Sequence, residues 1–231
     1  MITPTARSGR PVIGVVTIGQ TPRADLAATF AAAAPHADVR VAGALDGLSA
    51  AAIARLVVSG AYPLLVRLST GAGVEIPRDA LVPHVVRVAG ALAADGAALV
   101  VVACAGEFPA VPCAAPVLVP GRVVPATVRA FVAGARIGIV TPNAAQVPWA
   151  ERKWRDDGFA VVVTHASPVD HAGMAPAAAA MRAAGVALVV LDCMGHDEAY
   201  RAEFARLSEC VVVAAQSLVA ALAGGIVAPS V

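Results

Sequence analysis

The sequence predicts an α/β protein of two pseudo-symmetric lobes, each built on a parallel sheet. Three observations predict it. Short β-branched runs alternate with alanine-rich stretches along the chain, the pattern of strands feeding helices. One strand end occurs twice, as Ile13-Gly14-Val15-Val16-Thr17 and Ile137-Gly138-Ile139-Val140-Thr141. A second strand end also occurs twice, as Leu99-Val-Val-Val-Ala103-Cys104-Ala105-Gly106-Glu107 and Leu188-Val-Val-Leu-Asp192-Cys193-Met194-Gly195-His196. Each half thus supplies one strand ending in threonine and one ending in cysteine. The first half is longer between its two ends, which an extra helix and a hairpin account for. The expected lobes are 11–115 with 211–231 returning to it, and 116–210.

The elements follow in order. Pro11–Thr17 is a β-branched strand that turns into a helix: Thr21 is placed to cap it, Pro22 suits its first position, and Asp25 favours the positive end of its dipole. This helix runs to about Pro35. Val39–Ala42 forms a second strand, and Ser49 caps a helix reaching about Ser59. Leu64–Leu68 and Val74–Ile76 flank the glycine-rich Ser69–Gly73, which reads as a β-hairpin inserted in the first lobe. Arg78–Asp95 is a helix ended by Gly96, and the first cysteine strand follows. The proline-rich Phe108–Pro116 is a crossover, because proline does not belong in a helix interior. In the second half, Gly121–Ala133, Gln146–Gly158 and Ala172–Ala184 read as helices and Phe159–His165 as a strand; a further helix begins near Asp197, whose carboxylate can cap it. Val211–Val213 is a last strand before an Ala/Leu-rich helix. Trp149 and Trp154 are expected to pack at their helix surface, and Cys113, without ionisable neighbours, to be a small core residue.

Composition excludes several classes. The net charge of +1 leaves no basic stripe to neutralise phosphates, so no nucleic-acid partner is expected. Lys153 is the only lysine, which removes a phosphate-binding loop, and Gly71-Ala72-Gly73 lacks the third glycine of a dinucleotide fingerprint. No cofactor is expected. The stretch from Cys210 to Val231 is uncharged and long enough to span a bilayer, but Gln216, Ser217, Gly224-Gly225 and Pro229 interrupt it, and a buried strand and helix fit it better than a membrane span. Four cysteines with no Cys-x-x-Cys pair and no histidine cluster suggest neither a metal site nor a disulfide framework. With no secretory leader pattern, the expected location is cytoplasmic.

The candidate site lies where the strands end. In open α/β sheets ligands sit outside the carboxyl ends of the strands, so Cys104 and Cys193 form two half-sites able to face one another. The alternative is that both thiols simply pack. A helix N-terminus near Cys193 favours its thiolate, whereas neighbouring Asp192 or Glu107 disfavours it. The helix start after the first strand offers free N–H groups to an anion, making Gln20, Thr21 and Arg23 candidates to hold a carboxylate or phosphate. The expected cleft holds Thr17, Gln20, Arg23, Cys104, Thr141, Asn143 and Cys193.

The blocks VVTIGQTPRADL (Val15 to Leu26), GALDGLS (Gly43 to Ser49), LLVRLSTGAGVEI (Leu64 to Ile76), CAGEFP (Cys104 to Pro109), VTPNAAQ with the later Lys153-Trp154, and LDCMGH (Leu191 to His196) resemble the AroM family over nearly the whole chain. The two-cysteine plan is also similar to the aspartate/glutamate/hydantoin racemase superfamily. That resemblance implies Rossmann-like lobes and one catalytic cysteine from each on either side of a substrate carbon. Where that superfamily has Cys-Asn-Thr and Cys-Thr-His, this chain has Cys104-Ala105-Gly106 and Cys193-Met194-Gly195, with His196 one place later as a substrate-binding candidate. The implied function is a cofactor-independent racemase or isomerase, or a decarboxylase, acting on a small carboxylate with Cys104 and Cys193 as acid and base. A non-catalytic small-molecule-binding or regulatory protein with the same cleft is the alternative. The sequence leaves a homo-oligomer open.

Overall fold

The computed structural model describes residues 9–58 and 62–228. Two four-stranded parallel sheets carry the fold. In the first half, β1 (Val12–Thr17), α1 (Ala24–Ala33), β2 (Asp38–Gly43), α2 (Ala50–Ala54), the hairpin β3 (Pro63–Arg67) and β4 (Gly73–Pro77), α3 (Arg78–Ala94), β5 (Leu99–Ala103) and β6 (Val117–Leu118) give the strand order β2-β1-β5-β6 with β3-β4 as a separate ribbon. The helix α4 (Pro120–Arg129) leads to β7 (Ile137–Thr141), α5 (Val147–Asp156), β8 (Val161–His165), α6 (Met174–Ala183), β9 (Val189–Leu191), α7 (Glu198–Ser208), β10 (Val212–Ala214) and α8 (Ala215–Ile226). Their sheet has the order β10-β9-β7-β8. The two orders correspond strand for strand: β1 to β7, β2 to β8, β5 to β9 and β6 to β10.

Because both faces of each sheet are covered, its central strands are apolar without alternation, yet their side chains still separate by period two. Ile13, Val15, Leu99 and Val101 point into a core shared with Ile137, Ile139 and Val190 of the second sheet, and α1, α4, α5 and α8 contribute Phe30, Val124, Trp154 and Val219 to it. Val16, Val100 and Val102 face the other way, against α3 and the hairpin. Val140, Val189 and Leu191 face α6 and α7.

Several expectations need correction. The chain's last strand does not return to the first lobe: β10 extends the second sheet, pairing parallel to β9 with Val212 opposite Val189, on the edge equivalent to the one β6 takes beside β5. The last helix does cross over, and α8 packs on α1 and α4. Thr21 does not cap α1, which starts after Arg23, because the Asp46 carboxylate takes both its N–H and its hydroxyl, each at 2.9 Å. Ser49 does cap α2, accepting from the Ala52 N–H, but that helix ends at Ala54; the expected end at Ser59 lies outside the described residues. Asp197 caps α7 through the Tyr200 N–H at 2.9 Å. Among the described residues no helix is long and apolar enough to cross a membrane.

Candidate functional site

β1, β5 and β9 end on one cavity, which has about 60 Å³ of room for water-sized occupants, several times the roughly 10–15 Å³ a single water needs. Thr17 and Arg23 reach it from the β1–α1 turn, Cys104 to Gly106 from the end of β5, and Asp192 to Gly195 from the end of β9. Pro142 and Gln146 close it from the β7 side, Pro168 and Val169 from the loop after β8, and Leu64, Leu65 and Arg67 of the hairpin from the remaining side.

The two thiols sit in matching environments. Gly195 donates its N–H to the Cys193 Sγ at 3.3 Å, and the Gly106 amide serves Cys104 in the same way. A Cβ at either position would be tight: on Gly195 it would stand 3.0 Å from the Pro168 ring, and on Gly106 3.0 Å from the end of the Leu64 side chain. Burial pushes the Cys104 thiol up to about 12, with the Gly106 amide and Lys153 opposing and the charges of Cys193 and Asp192 adding to it. Burial likewise pushes Cys193 up to about 11 against its Gly195 amide and Arg23, while Asp192 and Asp25 add to the rise. Of the opposing influences that the sequence set side by side, the helix terminus and the neighbouring acids, the helix terminus does not prevail, and burial is the largest cause of the rise. The N-terminus of α7 is occupied by the Asp197 carboxylate, and desolvation of the thiolate outweighs the amides that face it. At rest both cysteines are thiols.

The cations of the site are mostly spent. Arg23, with side-chain exposure of 8%, holds Asp25 through Nε at 2.8 Å and Nη2 at 2.6 Å, and it donates to Thr17 Oγ1 at 3.1 Å and to the Met194 carbonyl at 3.3 Å. Burial alone would raise the Asp25 carboxyl; the bonds and charge of Arg23, the Leu26 amide and the charge of Arg67 together hold it below its ordinary value. Lys153 is buried on α5 behind the thiols. Its Nζ donates to both Asp192 oxygens at 3.1 Å and to the Ala105 carbonyl at 2.8 Å, and Trp154 Nε1 donates to the same carboxylate at 2.8 Å. One ammonium thus ties the loop after Cys104 to the residue before Cys193.

Of the nine residues singled out from the sequence, the structure brings Thr17, Arg23, Cys104 and Cys193 to the cavity. The other five lie beside it, for identifiable reasons. Thr21 is held by Asp46. Gln20 points toward the hairpin, accepting from the Ser69 N–H at 3.1 Å and hydroxyl at 3.2 Å while donating to the Leu45 carbonyl. Thr141 donates its hydroxyl to the Asn143 carbonyl at 2.8 Å. Asn143 accepts from the Gln146 N–H and donates to Glu75 of β4 at 2.6 Å. His196 is fully buried, with Nε2 against the Ala166 carbonyl at 3.0 Å and its ring 4.4 Å from that of Tyr200; burial pushes it down to about 4, so it is neutral.

Sequence reasoning missed the Lys153–Asp192 pair, Gln146 and Arg67. Lys153 did leave a signal, as the single lysine in a chain whose other basic residues are arginines. Trp154, expected at a helix surface, is fully buried because its indole N–H serves Asp192; Trp149 packs on Tyr62 with ring centroids 5.2 Å apart. Among the described residues no group of three or more His, Cys, Asp or Glu side chains is placed to hold a metal ion. The polar side chains lining the cavity are the two thiols, Arg23, Arg67, Thr17, Gln146 and Asp192.

The architecture is shared with solved structures of racemases and of a decarboxylase. Allantoin racemase from Klebsiella pneumoniae is 17% identical, with a TM-score of 0.59 over 94% of this chain and 87% of that one. Glutamate racemase from Aquifex pyrophilus is 14% identical, with a TM-score of 0.57 over 93% of this chain and 83% of that one. Unliganded arylmalonate decarboxylase is 16% identical, with a TM-score of 0.59 over 94% and 92%. At these identities the likeness establishes the aspartate/glutamate racemase fold and nothing finer. No curated protein matches the sequence. The family model described as AroM protein matches residues 13–227, and the chain belongs to the AroM family.

Proposed function

We propose that this AroM-family protein is a cofactor-independent enzyme of the racemase or isomerase type, with Cys104 and Cys193 as acid and base at a carbon of a small carboxylate. The observation that carries the reading is the matched pair of thiols: each follows an equivalent strand, each is faced by the amide of the glycine two residues on, and both line one cavity. The solved structures of this fold include proteins named as racemases and as a decarboxylase, which fits chemistry at one carbon centre. For a turnover one of the two thiols first gives up its proton to solvent; as thiolate that sulfur takes the carbon-bound proton while the other thiol delivers its proton to the opposite face, so the pair ends with the roles exchanged. The Gly106 and Gly195 amides, with Lys153 and Arg23, favour the thiolate when it forms.

A second reading is favoured by the thiols being protonated at rest. A carbanion left by decarboxylation needs one proton and no base, and a thiol near 11 supplies it. The two are separated by one experiment. Small carboxylates are screened by thermal shift, since a ligand that binds only the folded state raises the melting temperature; a hit is then followed in heavy water. In two-base chemistry, Cys104→Ala and Cys193→Ala each lower interconversion of enantiomers by about 10²–10⁴-fold, while each variant still exchanges deuterium into one enantiomer, with opposite preferences. Loss of turnover in Cys193→Ala alone supports the single-protonation reading. Full activity in both variants overturns both.

A further inference from the structure

We propose that Arg67, carried by the hairpin, is the anchor for the substrate's carboxylate, and that Gln20 and Asn143 are positioning residues that hold the hairpin over the thiols. The proposal rests on the reading that the cavity takes a small carboxylate. Its first support is a charge inventory. Arg23 lines the cavity but is already neutralised by Asp25, and its remaining N–H bonds go to Thr17 and Met194. Lys153 is neutralised by Asp192 and uses its third N–H on Ala105. Arg67 lines the same cavity and, among the described residues, makes no ion pair and no side-chain hydrogen bond. An anion entering between the thiols therefore meets one guanidinium with its N–H fork unused, the donor geometry that suits a carboxylate.

The second support is how firmly the hairpin is set. The Gln20 N–H donates to the Arg67 carbonyl at 3.0 Å, and the Gln20 side chain accepts twice from Ser69, two residues further on. Gly19 permits this approach, since a Cβ there would stand 2.1 Å from the Arg67 oxygen. From the other sheet, Asn143 donates to Glu75, on the strand opposite. The ribbon that carries Arg67 is thus tied to the turns after both threonine strand ends, β1 and β7. These are the turns in which the sequence pointed to Gln20 and Asn143. Leu64 and Leu65 of the same ribbon add an apolar wall, so a carboxylate bearing a small apolar substituent fits this side of the cavity.

The test needs no knowledge of the natural substrate. Iodoacetate and iodoacetamide both alkylate a thiolate, whose sulfur bonds to the methylene carbon as iodide leaves, the thiol proton passing to solvent; only the first carries a carboxylate. The rate ratio, iodoacetate over iodoacetamide, is measured for Cys104 and Cys193 by mass spectrometry in the full-length protein. Arg67→Gln is expected to lower that ratio about tenfold, Arg67→Lys to restore part of it, and Gln20→Ala to lower it with the iodoacetamide rate unchanged. In parallel, isobutyrate is expected to raise the melting temperature of the wild type more than isobutyramide does, with the difference lost in Arg67→Gln. That difference should survive in Cys104→Ser and Cys193→Ser, so the anchor can stand even if the acid/base reading fails. A ratio unchanged in Arg67→Gln overturns the proposal. So does the absence of both carboxylate selectivity and carboxylate stabilisation in the wild type.

Discussion

His196 shows what a single residue's surroundings do to a reading made from sequence. Directly after Gly195, at the end of a cysteine strand, it looks like a ligand-binding group, and nothing in the sequence reveals that its ring turns inward onto Tyr200 and the Ala166 carbonyl. The thiols were legible because a cysteine ending an apolar run has little choice of position; the imidazole, one turn later, had several. Its burial has a measurable consequence. His196 titrates near 4 in the fold, first because burial disfavours the charged ring, against about 6.5 in the unfolded chain. The unfolded state therefore binds a proton that the folded state refuses, and stability present above pH 6.5 is lost as pH falls toward 4, by up to about 3 kcal/mol. Urea unfolding at pH 7.5, 6 and 4.5 should show that decline. His196→Gln should show a shallower one, and equal slopes would mean that the acid sensitivity lies elsewhere.

At the scale of elements, the strands and helices were legible wherever period and punctuation agreed, as in β1, β7, α3 and the hairpin. What could not be read was which helix faces the site. α5 presents Trp149 to Tyr62, just before the hairpin, and Lys153 with Trp154 to Asp192, and that division depends on the rotation of the helix against segments distant in sequence. The Lys153–Asp192 pair has side-chain exposures of 2% and 4%, so removing either partner leaves a charge in a site that water does not relieve. Lys153→Met and Asp192→Asn should each cost about 3–5 kcal/mol in urea unfolding, and Lys153→Met with Asp192→Leu should recover part of it. The two single variants should also move the Cys104 thiol in opposite directions. Losing the ammonium raises its titration and losing the carboxylate lowers it, as followed by alkylation rate against pH. Shifts of the same sign would show that the variants disturb packing and not the local field.

For the whole molecule, the duplicated strand ends made two lobes legible, but the exchange between them at the C-terminus was not. Sequence order cannot say that β10 completes one sheet while α8 leaves to cover the other half's helix. α8 is the brace between halves. Near its start, Gln216 donates to the Met194 carbonyl at 2.9 Å and accepts from Thr29 of α1 at 2.8 Å, so the loop after Cys193 depends on how closely the two helices lie. That closeness is set at its far end by Gly224, where a Cβ would come 2.5 Å from the Ala33 carbonyl oxygen, a backbone atom that cannot swing aside; beside Gly225 nothing lies within 4 Å. Adjacent glycines in one helix should therefore respond to alanine with opposite signs. Gly225→Ala, freed of glycine's entropic cost, should gain up to about 1 kcal/mol. Gly224→Ala should lose about 1–3 kcal/mol as the helices are forced apart. If α8 braces the site as well as the fold, the Gly224 variant should also alkylate faster at Cys193 under native conditions, because its Met194 neighbour loses Gln216. A Gly224→Ala protein as stable as wild type would mean that α8 is free to slide along α1 and does not fix the spacing of the two halves.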